Sequence, residues 1–131
     1  MFRSIRLKLD TINERREKKN DFMLKLAHKE LDVWQKTINL ITNVYKLTNS
    51  FPKDEQFGLT SQLRRASISI ISNLSEGFAR SSELETKRFF DIARASLVEV
   101  DTQIEVALKL KYITEKDIIE LTEISNHIFA M

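Results

Sequence analysis

From Leu59 to Gly77 one helical period runs without a break, and it limits what the chain can fold into more than any other feature. Leu59, Leu63, Ala66, Ile70, Leu74 and Gly77 recur at spacings of three and four, which puts them on one face of a helix. Arg65, Ser69, Ser72, Glu76 and Arg80 fall on the opposite face. A strand cannot use this pattern, because its side chains alternate in steps of two. Small residues and a glycine on the apolar face call for a closely packed neighbour. The rest of the chain is punctuated accordingly. Two Gly and one Pro in 131 residues leave too few turn residues for a β-sandwich or an α/β fold, so a few long helices are expected. That length supports one core and not two ordinary domains.

Three further helices follow from the same reasoning. The first is expected from about His28 to Asn49, with two apolar stripes: Leu31, Trp34, Ile38, Ile41 and Tyr45 on one side, Val33, Leu40, Val44 and Leu47 on another. Pro52 disfavours helix at Phe51, and Asp54 is expected to cap the second helix, which runs to about Arg80. A third helix is expected from about Glu83 to Lys111, opened by Ser81 or Ser82 as cap, with Glu85 placed for a capping box from Ser82. Its main stripe is Phe90, Ala93, Leu97, Val100, Ile104, Ala107 and Leu108. Ile92, Ala95, Val106 and Leu110 form a second stripe, interrupted by Arg88 and Glu99. Thr114 to Asp117 start a fourth, shorter helix with Leu121, Ile124 and Ile128 inside. Short connections between four helices predict an all-α, antiparallel up-down-up-down bundle.

A monomeric bundle needs one apolar stripe per helix, so the second stripes predict self-association. Val33, Leu40, Val44, Leu47, Ile92, Ala95 and Val106 are the interface residues this reading selects. Residues 1–22 are read as an N-terminal extension, frayed or partly helical through Ile5, Leu9 and Ile12, rather than as a nucleic-acid arm, because its charges are mixed, and as dispensable for the bundle. The domain is read as 23–131, because patterned sequence starts directly after Met23. Charge follows the same division. Residues 1–30 hold nine Lys/Arg against five Asp/Glu, whereas 31–131 hold twelve against fourteen. Bulk charge is therefore no argument for nucleic-acid binding. The absence of cysteine excludes disulfides and thiolate chemistry and suits a reducing cytoplasm. No run approaches a membrane span or a signal peptide.

Several segments carry a resemblance. Leu31-Asp32-Val33-Trp34, Phe51-Pro52, Gly58 to Ala66, Ser69-Ile70, Asn73 to Gly77 and Ile92 to Glu99 together resemble a bacterial family, the four-helix bundle or 23S rRNA intervening-sequence proteins. The likeness covers about Lys29 to Ile113. This chain has Ile71 where the family often has Pro and Ala95 where it often has Gly, which implies a straighter second helix and slightly wider helix spacing there. The resemblance implies a bundle that assembles into a ring, commonly a pentamer. It extends to the accessory variability determinants of diversity-generating retroelements, rings that act with a reverse transcriptase and RNA.

Candidate binding residues are Arg64, Arg65, Arg80, Lys87 and Arg88, which repeated round a ring would form a basic band for phosphates. The competing reading pairs Arg80 with Glu76 at i,i+4 and Arg65 with a carboxylate across a subunit boundary. Ser67, Ser69, Ser72 and Ser75 suit tight helix packing better than nucleophilic catalysis, since no strand-turn-helix elbow presents them. His28 and His127 stand apart, and Glu76, Glu99 and Asp101 lack the Glu-x-x-His spacing of di-iron bundles. No catalysis, metal, cofactor or small-molecule substrate is expected. Two functions stand: an oligomeric adaptor for RNA or an RNA-handling protein, and a protein-interaction scaffold that binds no nucleic acid.

Overall fold

The Leu59–Gly77 period folds as one helix with its apolar face inward: Leu63, Ala66, Ile70, Leu74 and Gly77 are buried and Leu59 is half-buried. In this computed structural model, residues 2–15, 24 and 26–131 are described. The helices are α1 (Phe2–Arg15), α2 (Asp32–Thr48), α3 (Leu59–Ala79), α4 (Glu83–Lys109) and α5 (Ile119–Ala130). Single 3-10 turns at Ala27–Glu30, Lys53–Glu55 and Glu115–Ile118 precede α2, α3 and α5. Among the described residues there is no strand, and no helix is long and apolar enough to cross a membrane.

Helices α2 to α5 form a four-helix bundle. Four close contacts fix how the first three lie. Ser69 Oγ and Ser96 Oγ are 2.9 Å apart, and Gly77 lies against Phe90, so α3 and α4 run antiparallel. Trp34 Nε1 donates to Ser75 Oγ at 3.3 Å, and Arg64 Nε donates to Thr48 Oγ1 at 2.8 Å, which runs α2 antiparallel to α3. The Arg94 guanidinium sits 4.0 Å over the Phe129 ring and ties α4 to the end of α5. Inside, Leu40, Val44, Leu63, Ile70, Val100 and Ala107 are essentially free of solvent. Each large aliphatic side chain so buried stabilises the fold by about 1.5–3 kcal/mol.

Helix boundaries are shorter than the periodicity predicts, for local backbone reasons. Leu31 takes an extended conformation (φ −70°, ψ 144°), splitting the expected first helix into a 3-10 turn and α2. Gly58 (φ −111°, ψ −117°) delays α3 to Leu59, and Asp54 makes no side-chain cap. Ser82 does cap α4, accepting from the Glu85 N–H. Thr114 and Asp117 form a capping box: the Asp117 carboxylate accepts from the Thr114 N–H at 2.8 Å and from its hydroxyl at 3.0 Å. Those two bonds hold the Asp117 carboxyl below its usual pKa.

The stripes of α2 need a correction. Leu40 and Val44, chosen above for a subunit interface, are wholly buried in the chain's own core, and Val33 and Leu47 pack half-buried against it. Of the other stripe, Leu31 is buried, Ile41 packs half-buried against the core, Trp34 and Ile38 are half-buried, and Tyr45 is exposed. The buried line reads Thr37, Leu40, Val44, Thr48. Both threonine hydroxyls donate to the helix's own carbonyls, Thr37 to Val33 at 2.7 Å and Thr48 to Val44 at 2.8 Å, so they enter the core without an orphaned donor.

Segment 1–22 contributes α1, the partly helical form of the expectation. Ile5 packs against the core, while Leu9 and Ile12 are half-buried. The 22/23 boundary lies outside the described residues. Helix α5 meets α4 at Arg94 and shares a second cavity with it from Leu97 to Leu108, and α1 borders the space beside the first turns of α4. Between them lies an apolar cavity of about 420 Å³ walled by Ile5, Ile70, Leu74, Phe78, Phe90 and Ile128.

Candidate nucleic-acid interface

The five candidate cations do not form one cluster. Arg64 and Arg80 are separated by about 24 Å along α3, at 1.5 Å per residue. Their surroundings differ as much as their positions.

Arg64 is half-buried and committed to α2. Besides Thr48 Oγ1, it reaches Asn49 Oδ1 at 3.1 Å and the Tyr45 carbonyl at 3.4 Å through Nη2, and its guanidinium lies 4.6 Å over the Tyr45 ring. A guanidinium with these partners braces the C-terminal turn of α2, whose last carbonyls would otherwise face solvent. Its neighbour Arg65 points away, exposed, with no hydrogen bond or ion pair among the described residues. One residue of helix turns the chemistry from structural to available.

Arg80 closes α3. Its Nη2 donates to Glu76 Oε2 at 3.1 Å, which is the i,i+4 pair expected, and its guanidinium lies 4.9 Å over the Phe89 ring. Both side chains remain roughly half exposed, so the pair orients Arg80 more than it stabilises the fold. Lys87 and Arg88, one turn into α4, are exposed and make no ion pair among the described residues. The turn between α3 and α4 therefore gathers Arg80, Lys87 and Arg88 at one end of the bundle, while Arg64 and Arg65 stand nearer its other end.

Gly77 makes that turn tight. A Cβ there would sit 2.7 Å from Phe90 Cε1 and 3.3 Å from Phe89 Cβ, so only glycine lets α4 fold back this closely. Phe90 in turn meets Phe78 edge-on at 5.0 Å, and Phe78 stacks on the buried His28 at 5.0 Å. His28 was an isolated residue in the sequence. The fold makes it an aromatic member of the core beside Trp34, and only the neighbouring Ala27 and Leu31 hinted at burial.

The serines are placed as packing residues. Ser67 is fully buried and donates to the Arg64 carbonyl, Ser69 bonds Ser96, and Ser75 receives Trp34. Ser72 is exposed. His127 is exposed on α5, and no group of three His, Asp or Glu suited to a metal occurs among the described residues.

The other exposed feature is a line along α4. Ile92, Ala95, Val106 and Leu110 face outward on the side that carries Arg88 and Glu99, and the larger three remain 39–51% exposed. Of the interface residues chosen from sequence, Ile92, Ala95 and Val106 are thus exposed, Val33 and Leu47 are half-buried against the chain's own core, and Leu40 and Val44 are wholly inside it.

A family model for the 23S rRNA-intervening sequence protein matches residues 29–131. The chain belongs to that family. The match spans α2 to α5 with every candidate cation, and it leaves out α1. No curated protein matches the chain. Within the family region, the residues that carried the resemblance sort by position: Gly77 and Ser69 serve the α3–α4 contact, Arg64 serves α2, and Arg65 serves neither.

Proposed function

We propose that this chain is a non-catalytic adaptor that assembles into a closed ring, a pentamer, and binds RNA or an RNA-handling protein in the cytoplasm. The observation that carries the reading is a set of exposed cations, Arg65, Lys87 and Arg88, that form no ion pair among the described residues. They stand on a bundle whose α4 presents Ile92, Ala95 and Val106 to solvent. Burying the α4 line between copies would remove apolar surface from water and repeat each cation around the symmetry axis. A band of that kind acts on a polyanion even when the net charge of one chain is only +2. The family name, with its 23S rRNA, supports RNA as the polyanion.

Light scattering at micromolar concentration is expected to give a mass several times 15.3 kDa. Ile92→Glu with Val106→Glu should return it to a monomer with unchanged helicity. Binding of a structured RNA stem-loop should weaken steeply as salt rises, because phosphate contacts release counterions. A ring that binds no RNA at low salt would favour the protein scaffold, which the internal pairing of Arg64 and Arg80 also suits. A clean monomer would remove the ring.

A further inference from the structure

Helix α1 lies outside the family match, yet it closes a cleft on the same end of the bundle as Arg80. The cleft has a volume of about 230 Å³; Arg3 and Arg6 of α1 line it with Arg80, Glu83 and Thr86, and Ile5, Leu7, Leu9 and Phe78 add an apolar wall. We propose that this cleft is a phosphate-binding site, and that α1 extends the RNA surface of the bundle by supplying half of it. The inference rests on the RNA-binding reading and assigns the backbone phosphodiester as its ligand.

Three arguments lead there. The first is charge. Three arginines line one concavity with Glu83, and even with Glu76 paired to Arg80 the cations outnumber the carboxylates, so like charges gathered there favour an anion between them. The second is preparation. Arg80 is held by Glu76 through Nη2 and by the face of Phe89, and a guanidinium has five N–H donors, so most of its donors stay open while its plane is fixed. The third is size. The volume falls below the 300 Å³ or so at which pockets begin to enclose drug-sized molecules, which suits a phosphate group and not a whole nucleotide. The apolar stripe of α1 explains why Arg3 and Arg6 come to this place. Ile5 anchors the helix on the core, and Arg6 follows it directly in sequence.

The test uses the full chain and two probes, inorganic pyrophosphate and a fluorescein-labelled single-stranded RNA. In nitrogen-15 NMR spectra, pyrophosphate should shift the Nε–H signals of Arg3, Arg6 and Arg80 together and leave that of Arg64 in place. Arg3→Gln with Arg6→Gln should weaken pyrophosphate binding by about threefold per guanidinium, the size of an exposed ion pair. The log–log salt slope for RNA should become shallower by about 0.7 for each phosphate that the variant no longer holds. Glu83→Gln should strengthen both, since it removes the carboxylate that lines the cleft. Circular dichroism checks that α1 survives. Arg3→Lys with Arg6→Lys should keep the salt slope near that of the unaltered chain, so a lysine variant as weak as the glutamine variant would mean that α1 has moved and would overturn the proposal. So would an Arg3→Gln, Arg6→Gln variant that binds pyrophosphate and RNA like the unaltered chain. If the chain binds no RNA but pyrophosphate still shifts all three signals, the adaptor reading falls and the anion site stands. Silence of all three signals overturns the site, whatever RNA does.

Discussion

At the start of α3, Arg64 reaches across to α2 and fastens the end of that helix; at its close, Arg80 bonds only to its own helix and keeps its outer edge open. The inner faces are the reverse of the outer ones. Near Arg64 the contact with α2 is polar, made by Thr48, Asn49 and the Tyr45 ring, whereas near Arg80 the interior is a stack of aromatic rings against a glycine. One helix thus uses the same residue type as a brace at one end and as a surface group at the other. What decides between them is whether acceptors at the C-terminal end of a neighbouring helix lie within reach.

The largest effects should come from the ring-packed end. Phe90→Ala is expected to cost about 3–5 kcal/mol, the range for emptying a buried phenylalanine site. Gly77→Ala should destabilise as well. Overpacking against Phe90 costs about 1–3 kcal/mol, offset by about 1 kcal/mol of helix propensity. Urea unfolding followed by circular dichroism measures both, and a stabilised Gly77→Ala chain would break the account of the tight turn.

A smaller effect separates the adjacent arginines. Arg64→Gln should lose about 1–2 kcal/mol, from its bonds to Thr48 and Asn49 and its stacking on Tyr45. Arg65→Gln should stay within about 0.5 kcal/mol, as surface substitutions do. The same pair reverses in RNA binding, where Arg65→Gln should flatten the salt dependence more. Equal stability losses at both positions would erase the contrast between brace and surface group.

Smallest of all is the stability change for Arg80→Gln, about 0.3–0.5 kcal/mol or less for an exposed i,i+4 pair. Thermal melts would show almost no shift while affinity for pyrophosphate falls. A melt shifted as far as that of Arg64→Gln would make Arg80 a second brace.

Much of this was legible in the sequence. The inward faces of α3 and α4 follow from spacing, because an unbroken apolar line runs along each and the buried polar residues, Thr60, Ser67, Thr86, Ser96 and Gln103, lie beside it. On α2 the period was present but hidden, since Thr37 and Thr48 occupy core positions and read as breaks in the stripe. Their hydroxyls bond within the helix, which no count of apolar residues registers. The Arg80–Glu76 pair was visible as an i,i+4 spacing. Arg64's partners were not, because Thr48 and Asn49 belong to another helix and meet it only in the fold. The part of Arg3 and Arg6 is not legible for a similar reason: what matters is the cleft they share with Arg80, which lies 74 residues beyond Arg6 and meets them only in the fold.

The rings behind Gly77 also give the molecule an optical reporter. Phe90, Phe78, His28 and Trp34 follow one another at 5.0, 5.0 and 6.3 Å between ring centres, and the indole N–H of Trp34 returns to Ser75, two residues before the glycine where the series begins. Trp34 is the sole tryptophan of the chain. Its emission therefore arises at one known place, with the imidazole of His28 edge-on beside it and the end of α3 on its hydrogen bond. Loosening of the α3–α4 turn should change that emission before the far end of the bundle has opened, so fluorescence and helicity recorded on one sample would tell whether the two ends of α3 come apart together.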